Sequence, residues 1–321
     1  MVCYRTFRNT DPPRLVDAWN ETFTGRGAVR LASSTPLERF VFCKPLFDPA
    51  GLFVAEENDK CLGFAHAGFG LCSKPDEPKT GVVSLIGVRP GARRKGIGAE
   101  LLRLSEYYLD RNGAQRLHAG GHWPHNPFYM GLYGGCESPG FLRSDALAEP
   151  FFLLHGYRVQ SEIRVMQRRL DEPFKLFDPR FVTLRQNFDL QVDYPQSLRG
   201  WWRECVVGYL DPLEFELVDR KSRRTAARTL VWDMEGFGVR WRAAAVGILD
   251  FEVLPDFRRQ GLGKLFLSYI MKQVQEQFFQ IVELHLPGDN AQALAFLEGL
   301  GFKQVDTGQV FVKTTPASGG A

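Results

Sequence analysis

Two stretches of this 321-residue chain carry the same arrangement of chemistry-bearing residues, ARRKGIGAELL (92–102) and FRRQGLGKLFL (257–267). In each, an arginine (Arg93, Arg258) precedes two glycines at the same spacing, Gly96 and Gly98 or Gly261 and Gly263. A strand-like run precedes each loop, VVSLIGV (82–88) or VGILDFEV (246–253), and a helix-period run follows it. A loop of this kind presents the free N–H groups of a first helical turn and the positive end of the helix dipole. That is a place for an anion, and a pyrophosphate fits it. Glycine lets the backbone approach the phosphate and reaches dihedrals closed to other residues. Arg93, Arg94 and Lys95, or Arg258, Arg259 and Gln260, surround it with charge and donors, and Ile97 and Leu262 lie between the paired glycines among the expected cofactor contacts. A Walker loop is excluded, because no Gly-Lys-Ser/Thr step follows. A dinucleotide fingerprint is excluded by Leu101 and Phe266, which stand where its third glycine belongs.

The loops are the centre of a longer internal repeat. Val88-Arg89-Pro90 aligns with Val253-Leu254-Pro255, and in both copies the arginine lies five and the glycine eight residues after the valine. Downstream, Leu101, Leu102, Leu104, Tyr108 and Leu109 share one helix face, with Gly113 as the stop; the second set is Leu265, Phe266, Tyr269, Ile270, Val274 and Phe278. Strands RLHAG (116–120) and IVELHL (281–286) follow. Upstream, GLFVAEEN and CLGFAHAGF flank Asp59-Lys60 as a hairpin, and LEFELVD and TAARTLVWDM flank KSRR. A strand-plus-helix candidate precedes each hairpin: CYRTFRN with PRLVDAWNETF, and FVTLRQNFDL with SLRGWWRECVV. Each half therefore reads β-α-β-β-β-α-β-α-β. The expected division is a first domain over 1–170, a linker over 171–180, a second domain over 181–313 and a polar tail over 314–321.

Bulk properties narrow the classes. Hydrophobic residues make up 44% and charged residues 24%, enough apolar surface for packed cores. A net charge of +3 gives no case for nucleic acid. No apolar run reaches the length of a membrane span and the N-terminus lacks a signal-peptide core, so the expectation is a cytoplasmic protein without a membrane partner. The six cysteines (3, 43, 61, 72, 136, 205) form no Cys-x-x-Cys pair and no zinc-ligand spacing; no metal is expected.

At the two loops the sequence resembles the GNAT superfamily of N-acetyltransferases, whose signature is Arg/Gln-x-x-Gly-x-Gly/Ala after a strand ending in Val-x-Pro. NAQALAFLEGLGF (290–302) also resembles a later motif of that family, through Asn290, Ala293, Phe296, Gly301 and Phe302. The layout is similar to the two-domain mycothiol synthase family. The resemblance implies two tandem α/β (α+β) domains. Each would hold a mixed, mostly antiparallel sheet, helices on both faces, and fourth and fifth strands that splay apart. It implies acetyl-CoA as acyl donor, with its pyrophosphate on residues 93–98 or 258–263 and its pantetheine added beside the fourth strand as an extra strand. It implies that the N–H of Val88 or Val253 polarises the thioester carbonyl, and that a primary amine of a small molecule or peptide is the acceptor.

The proton carriers are less defined. The family's tyrosine, four residues before the late glycine, is replaced by Phe152 and Leu297. Asp250 and Glu252 alternate with Phe251 and Val253, which turns them from the thioester in the implied register. The first half carries 19 extra residues near NPFYMGLYGGCESPGFLRSDALAE, expected to overhang the acceptor cleft. With the preceding GGHWPH, this stretch supplies Tyr129, Tyr133 and His122 as candidate catalytic residues, beside His125, Glu137 and Asp145. His118 and His285 read as satisfied core histidines. The missing tyrosines leave a second reading open, a non-catalytic acyl-CoA-binding module. The sequence sets neither the acceptor, nor which half is catalytic, nor the oligomeric state.

Overall fold

The computed structural model describes residues 1–71, 78–125, 128–171 and 178–313. Cys72, most of the expected linker and the tail lie outside the described residues. The chain forms two compact units, one of Met1–Ile163 with the chain from Asp306 onward, the other of Arg164–Val305.

In the first unit β1 (Cys3–Thr6), β2 (Leu52–Glu57), β3 (Lys60–Phe69) and β4 (Thr80–Val88) form an antiparallel meander, and β5 (Arg116–Ala119) joins β4 in parallel. The helices are α1 (Pro12–Thr22), the short α2 (Thr35–Leu37), α3 (Ile97–Arg111) and α4 (Ala148–Leu154). α3 buries Ile97, Leu101, Leu102, Ser105 and Leu109 at helical spacing and ends just before Gly113, whose φ is +80°. Ile86 and Val88 of β4 pack against the α3 side. Gly87, between them, faces the other way, and a side chain there would strike Thr22 and Phe23. Helices therefore cover both faces of the sheet.

The insertion, expected over the cleft, packs its aromatic side chains into the first unit. Phe128–Tyr133 and Phe141–Leu142 are buried. Tyr129 stacks on Trp19 at 5.9 Å between ring centroids, and Tyr133 meets Phe23 edge-on at 5.8 Å. Val29 N donates to Leu132 O and Gly134 N to Gly27 O. The aromatic content explains the difference, because such rings gain more by leaving water than by framing a loop. The chain then returns as β6 (Phe141–Leu142).

The last strand, β13 (Lys303–Lys313), belongs from Asp306 onward to the first unit: Phe311 pairs with Ala119 and Gly308 with Leu142, both antiparallel. The compact units divide at Ile163/Arg164 and at Val305/Asp306, whereas the expected division lies at 170 and 181. Gly140 (φ +85°) makes the close approach at this junction, since a Cβ there would sit 2.2 Å from the Gln309 carbonyl oxygen. Gly140→Ala is expected to cost about 2–4 kcal/mol, combining left-handed strain with overpacking against main chain; urea unfolding measures it.

The second unit repeats the plan. β8 (Phe188–Asp193), β9 (Leu213–Asp219), β10 (Thr225–Asp233) and β11 (Ala245–Val253) are antiparallel, and β12 (Ile281–Pro287) runs parallel to β11. From Arg164, β7 (Arg158–Arg169) lies beside β12. The helices are α5 (Arg180–Asn187), α6 (Trp201–Val207), α7 (Glu235–Trp241), α8 (Leu262–Glu276) and α9 (Ala291–Glu298). FVTLRQNFDL is thus a strand only from Phe188 on. Phe181 and Leu184, three residues apart, share a helix face and join the core around α8. Phe278, expected on the α8 face, lies beyond the helix and is exposed.

Candidate functional site

The two glycine loops have one backbone conformation. After β4 a 3₁₀ turn (Pro90–Ala92) leads to Arg93 at φ −67°, ψ 162°, Arg94 at φ +61° and Gly96 at φ +79°. After β11 the turn Pro255–Phe257 leads to Arg258 at φ −68°, ψ 160°, Arg259 at φ +64° and Gly261 at φ +85°. Arg93 Nε donates to the Val88 carbonyl at 2.9 Å, and Arg258 Nε to that of Val253 at 2.8 Å, tying each loop to the end of its strand. Among the described residues, the amides of 94–98 and of 259–263 donate to no main-chain carbonyl. Each loop is therefore a concave set of free N–H groups at the head of a fifteen-residue helix.

Each loop opens beside a gap in its sheet. β4 and β5 pair from Thr80–Arg116 to Val83–Ala119, Gly120 N donates to Val83 O at 3.0 Å, and the ladder stops. β11 and β12 pair from Ala245–Ile281 to Ile248–Leu284 and then separate. A bulge marks the parting in both. Ser84 is the extra residue of β4 opposite His66–Ala67, and β11 sets Asp250 and Phe251 against Thr229 alone, with Asp250 at φ +53°. Beyond the bulge Arg89 N donates to Leu62 O on β3, and Leu254 N to Ala226 O on β10. Main-chain groups alternate sides along an antiparallel strand. The amides of Val88 and Val253 therefore point into the gap.

What stands over the two cradles differs. A Cβ on Gly96 would meet nothing within 4 Å, whereas one on Gly261 would lie 3.1 Å from Arg180 Cζ. Phe151 borders Gly98 and Phe296 borders Gly263, so the walls match. Phe152 and Leu297 are buried in the cores and carry no proton. Asn290, expected at the cofactor, caps α9 by accepting from Ala293 N at 3.0 Å.

The candidate proton carriers all lie in the first unit. Tyr133 accepts from Leu142 N at 3.0 Å and donates to the Asp145 carboxylate. Burial pushes the Tyr133 phenol well up, the Asp145 charge adding to it, and burial also raises the Asp145 carboxyl while Arg93 opposes that rise. The Tyr129 hydroxyl lies 3.2 Å from His66 Nδ1, and burial raises its phenol too. His122 stacks on His118 at 5.5 Å, with His125 at 5.5 and 5.6 Å from the two. Burial lowers His118 to about 3 and His122 to about 4, the neighbouring imidazoles adding to the effect. His118 is not the satisfied core histidine expected, because its Nδ1 is buried without a partner. His285 Nε2 lies 3.3 Å from Glu283 Oε1.

His66 escaped the sequence reading. It is fully buried on β3, its Nε2 has no partner, and burial lowers it to about 3. Its one signal was a lone imidazole inside the apolar run CLGFAHAGF. In the second unit Phe251 stacks on Phe266 of α8 at 5.5 Å, while Asp250 and Glu252 face the opposite side and pair with Arg203 and Arg228. Asp250 also lines a small polar pocket with Ser197, Arg199, Glu214 and Thr229.

Comparison with known proteins agrees with this geometry. The sequence model described as the Acetyltransferase (GNAT) family matches residues 13–134 and 165–302. A mycothiol acetyltransferase of Streptomyces avermitilis is 36% identical over 22% of this chain and 21% of its own length. A ribosomal protein bS18-alanine N-acetyltransferase of Escherichia coli K12 is 29% identical over 21% of this chain and 46% of its own length. The aligned stretches thus span less than half of either relative. Among solved structures, a tandem GNAT protein from the clavulanic acid biosynthesis pathway superposes over 99% of this chain and all of its own. Its TM-score is 0.65 at 18% identity, a likeness of fold.

Proposed function

Because the chain belongs to the acetyltransferase (GNAT) family, we propose that it moves an acetyl group from acetyl-CoA directly to a primary amine of a small molecule or a peptide. The observation that carries this reading is the open cradle around Gly96, with free amides and uncovered space, beside a strand whose Val88 amide points into the sheet gap. The cradle fits the donor: a diphosphate needs several converging N–H groups and close main-chain approach, and both are present. The donor supplies an activated acyl group and a thiol leaving group.

The residues then divide the work. Amides from 94 to 98 hold the diphosphate, with Arg94 and Lys95 at its flank, while Arg93 fixes the loop to Val88. The exposed edge of β4 takes the pantetheine amides as an added strand. Val88 N–H stabilises the oxyanion, a contact whose loss typically costs about 2.7–4 kcal/mol of barrier. Tyr133 with Asp145 is the proton-carrying pair we favour over Tyr129 and His122. The Tyr133 hydroxyl donates to the Asp145 carboxylate, which feels the charge of Arg93, and Arg93 Nε donates to the Val88 carbonyl. The names of the relatives support both acceptor classes, a small molecule and a peptide terminus. A cytoplasmic setting belongs to this proposal; no helix among the described residues is long and apolar enough to cross a membrane.

Release of free thiol from acetyl-CoA with a panel of amines tests the reaction. Tyr133→Phe is expected to lower kcat about 10²-fold or more while leaving the donor KM within threefold. Donor binding with no turnover on any amine would instead favour a binding module, the reading that Phe152 and Leu297 motivate.

A further inference from the structure

The two cradles share a backbone but not a neighbourhood, and this bears on which of them takes the donor. The space beside a left-handed glycine is the room that a loop leaves for a ligand. At Gly96 that room is open. At Gly261 it holds a guanidinium, with Arg180 Cζ, Nη1 and Nη2 at 3.1, 3.3 and 3.4 Å from the Cβ position.

A free guanidinium in that place would recruit phosphate, but this one is already paired. Arg180 Nε and Nη2 donate to the two oxygens of Asp178 at 3.0 and 2.8 Å, and the Arg180 amide donates to Oδ1 at 3.1 Å. Lys264, in the first turn of α8, lies 3.8 Å from Asp178 Oδ2. One carboxylate therefore collects two of the cations nearest the cradle, and a bidentate arginine–carboxylate pair is among the stronger polar contacts. The Asp178 side chain is 9% exposed and that of Arg180 is 59% exposed, and the hydrogen bond with Arg180 holds the Asp178 carboxyl down to about 2. The pair is also positioned. Arg180 opens α5, and the next residue, Phe181, is buried in the core around α8. At the first cradle Glu57 feels the charge of Lys95 and Glu100 pairs with Arg103, but among the described residues no carboxylate lies within ion-pair distance of Arg94 or Lys95.

We infer that Arg180 and Asp178 close the second cradle to a pyrophosphate, so that the chain takes one donor molecule, in its first unit. Arg180 and Asp178 are specificity-determining residues in this inference, which rests on the donor-binding reading above. A diphosphate approaching Gly261 has to lift the guanidinium and meets the Asp178 carboxylate, a like charge, instead of an open set of amides.

Isothermal titration of the full chain with coenzyme A reads this out as stoichiometry. The wild type is expected to bind one equivalent, and Gly96→Val to lose it. Arg180→Ala and the double variant D178A/R180A are expected to bind a second equivalent. In the Gly96→Val background the double variant is expected to retain one. Circular dichroism and the melting temperature establish that each variant is folded. Two equivalents in the wild type would overturn the inference, as would one equivalent that survives Gly96→Val. A double variant that stays at one equivalent, or an Arg180→Ala that weakens coenzyme A binding, would overturn it too, the last by making Arg180 a phosphate ligand. Failure of the donor reading looks different. With no binding in the wild type, one equivalent gained by the double variant supports closure of the second cradle while removing the first as donor site. Silence in every variant overturns both.

Discussion

Gly96→Val is expected to raise the dissociation constant for coenzyme A by about two orders of magnitude and to lower kcat/KM for acetyl-CoA in parallel. Gly96 holds φ at +79°, which a β-branched residue does not adopt without strain. Valine therefore rebuilds the loop and turns amides away from the diphosphate. Two charge-assisted hydrogen bonds at about 1.5–3 kcal/mol each come to roughly 3 kcal/mol or more. At about 1.4 kcal/mol per factor of ten, that is a hundredfold loss. The cost to folding is smaller, about 1–2 kcal/mol for one residue forced left-handed, so the protein remains folded enough to titrate. Calorimetry and steady-state turnover on the same preparation separate the two effects. An unchanged dissociation constant in a folded Gly96→Val protein would remove the first cradle as the donor site.

The second large effect is on acid stability. His66, His118 and His122 are lowered by burial from an ordinary 6.5 to about 3, 3 and 4. The folded chain therefore keeps these rings neutral at a pH where the unfolded chain protonates them. Unfolding takes up protons below pH 6.5, and stability falls as pH falls, until the folded values near 3–4 are reached. Between pH 7 and 5.5 each ring so lowered costs about 1 kcal/mol by this linkage, and the three together on the order of 3 kcal/mol. Urea unfolding across that range checks the slope. His66→Phe should flatten it by one ring's share, because Phe128, at 4.2 Å between ring centroids, already gives the site an aromatic neighbour. A stability that is flat from pH 7 to 5.5 would mean that these imidazoles reach water or exchange protons with a partner.

Much of the site was legible beforehand because its determinants are local. A left-handed position calls for glycine, a helix start needs a stop to the strand before it, and an arginine five residues after the valine reaches back to its carbonyl. Each of these is a relation among residues within one turn, so ARRKGIG and FRRQGLG specified matching dihedrals. The periodicity of 97–111 likewise specified α3, because a helix face is written every three to four residues. The insertion was misread for the opposite reason. Its glycines resemble those of a surface loop, and only the proximity of Trp19, Phe23 and His66 shows that Tyr129 and Tyr133 have partners to bury against.

The sequence by itself determined that the chain holds two copies of one glycine loop between strand and helix. Glycine spacing and hydrophobic period are properties of consecutive residues. Only the tertiary structure decided which sheet receives the strand from Asp306 onward, which imidazoles lie out of water, and that Arg180 lies across Gly261 while Gly96 stays open. A strand's hydrogen-bonding edge is main chain and carries no label for its partner, and a surface arginine carries none for the loop it covers. Those choices are made by packing between residues distant in sequence.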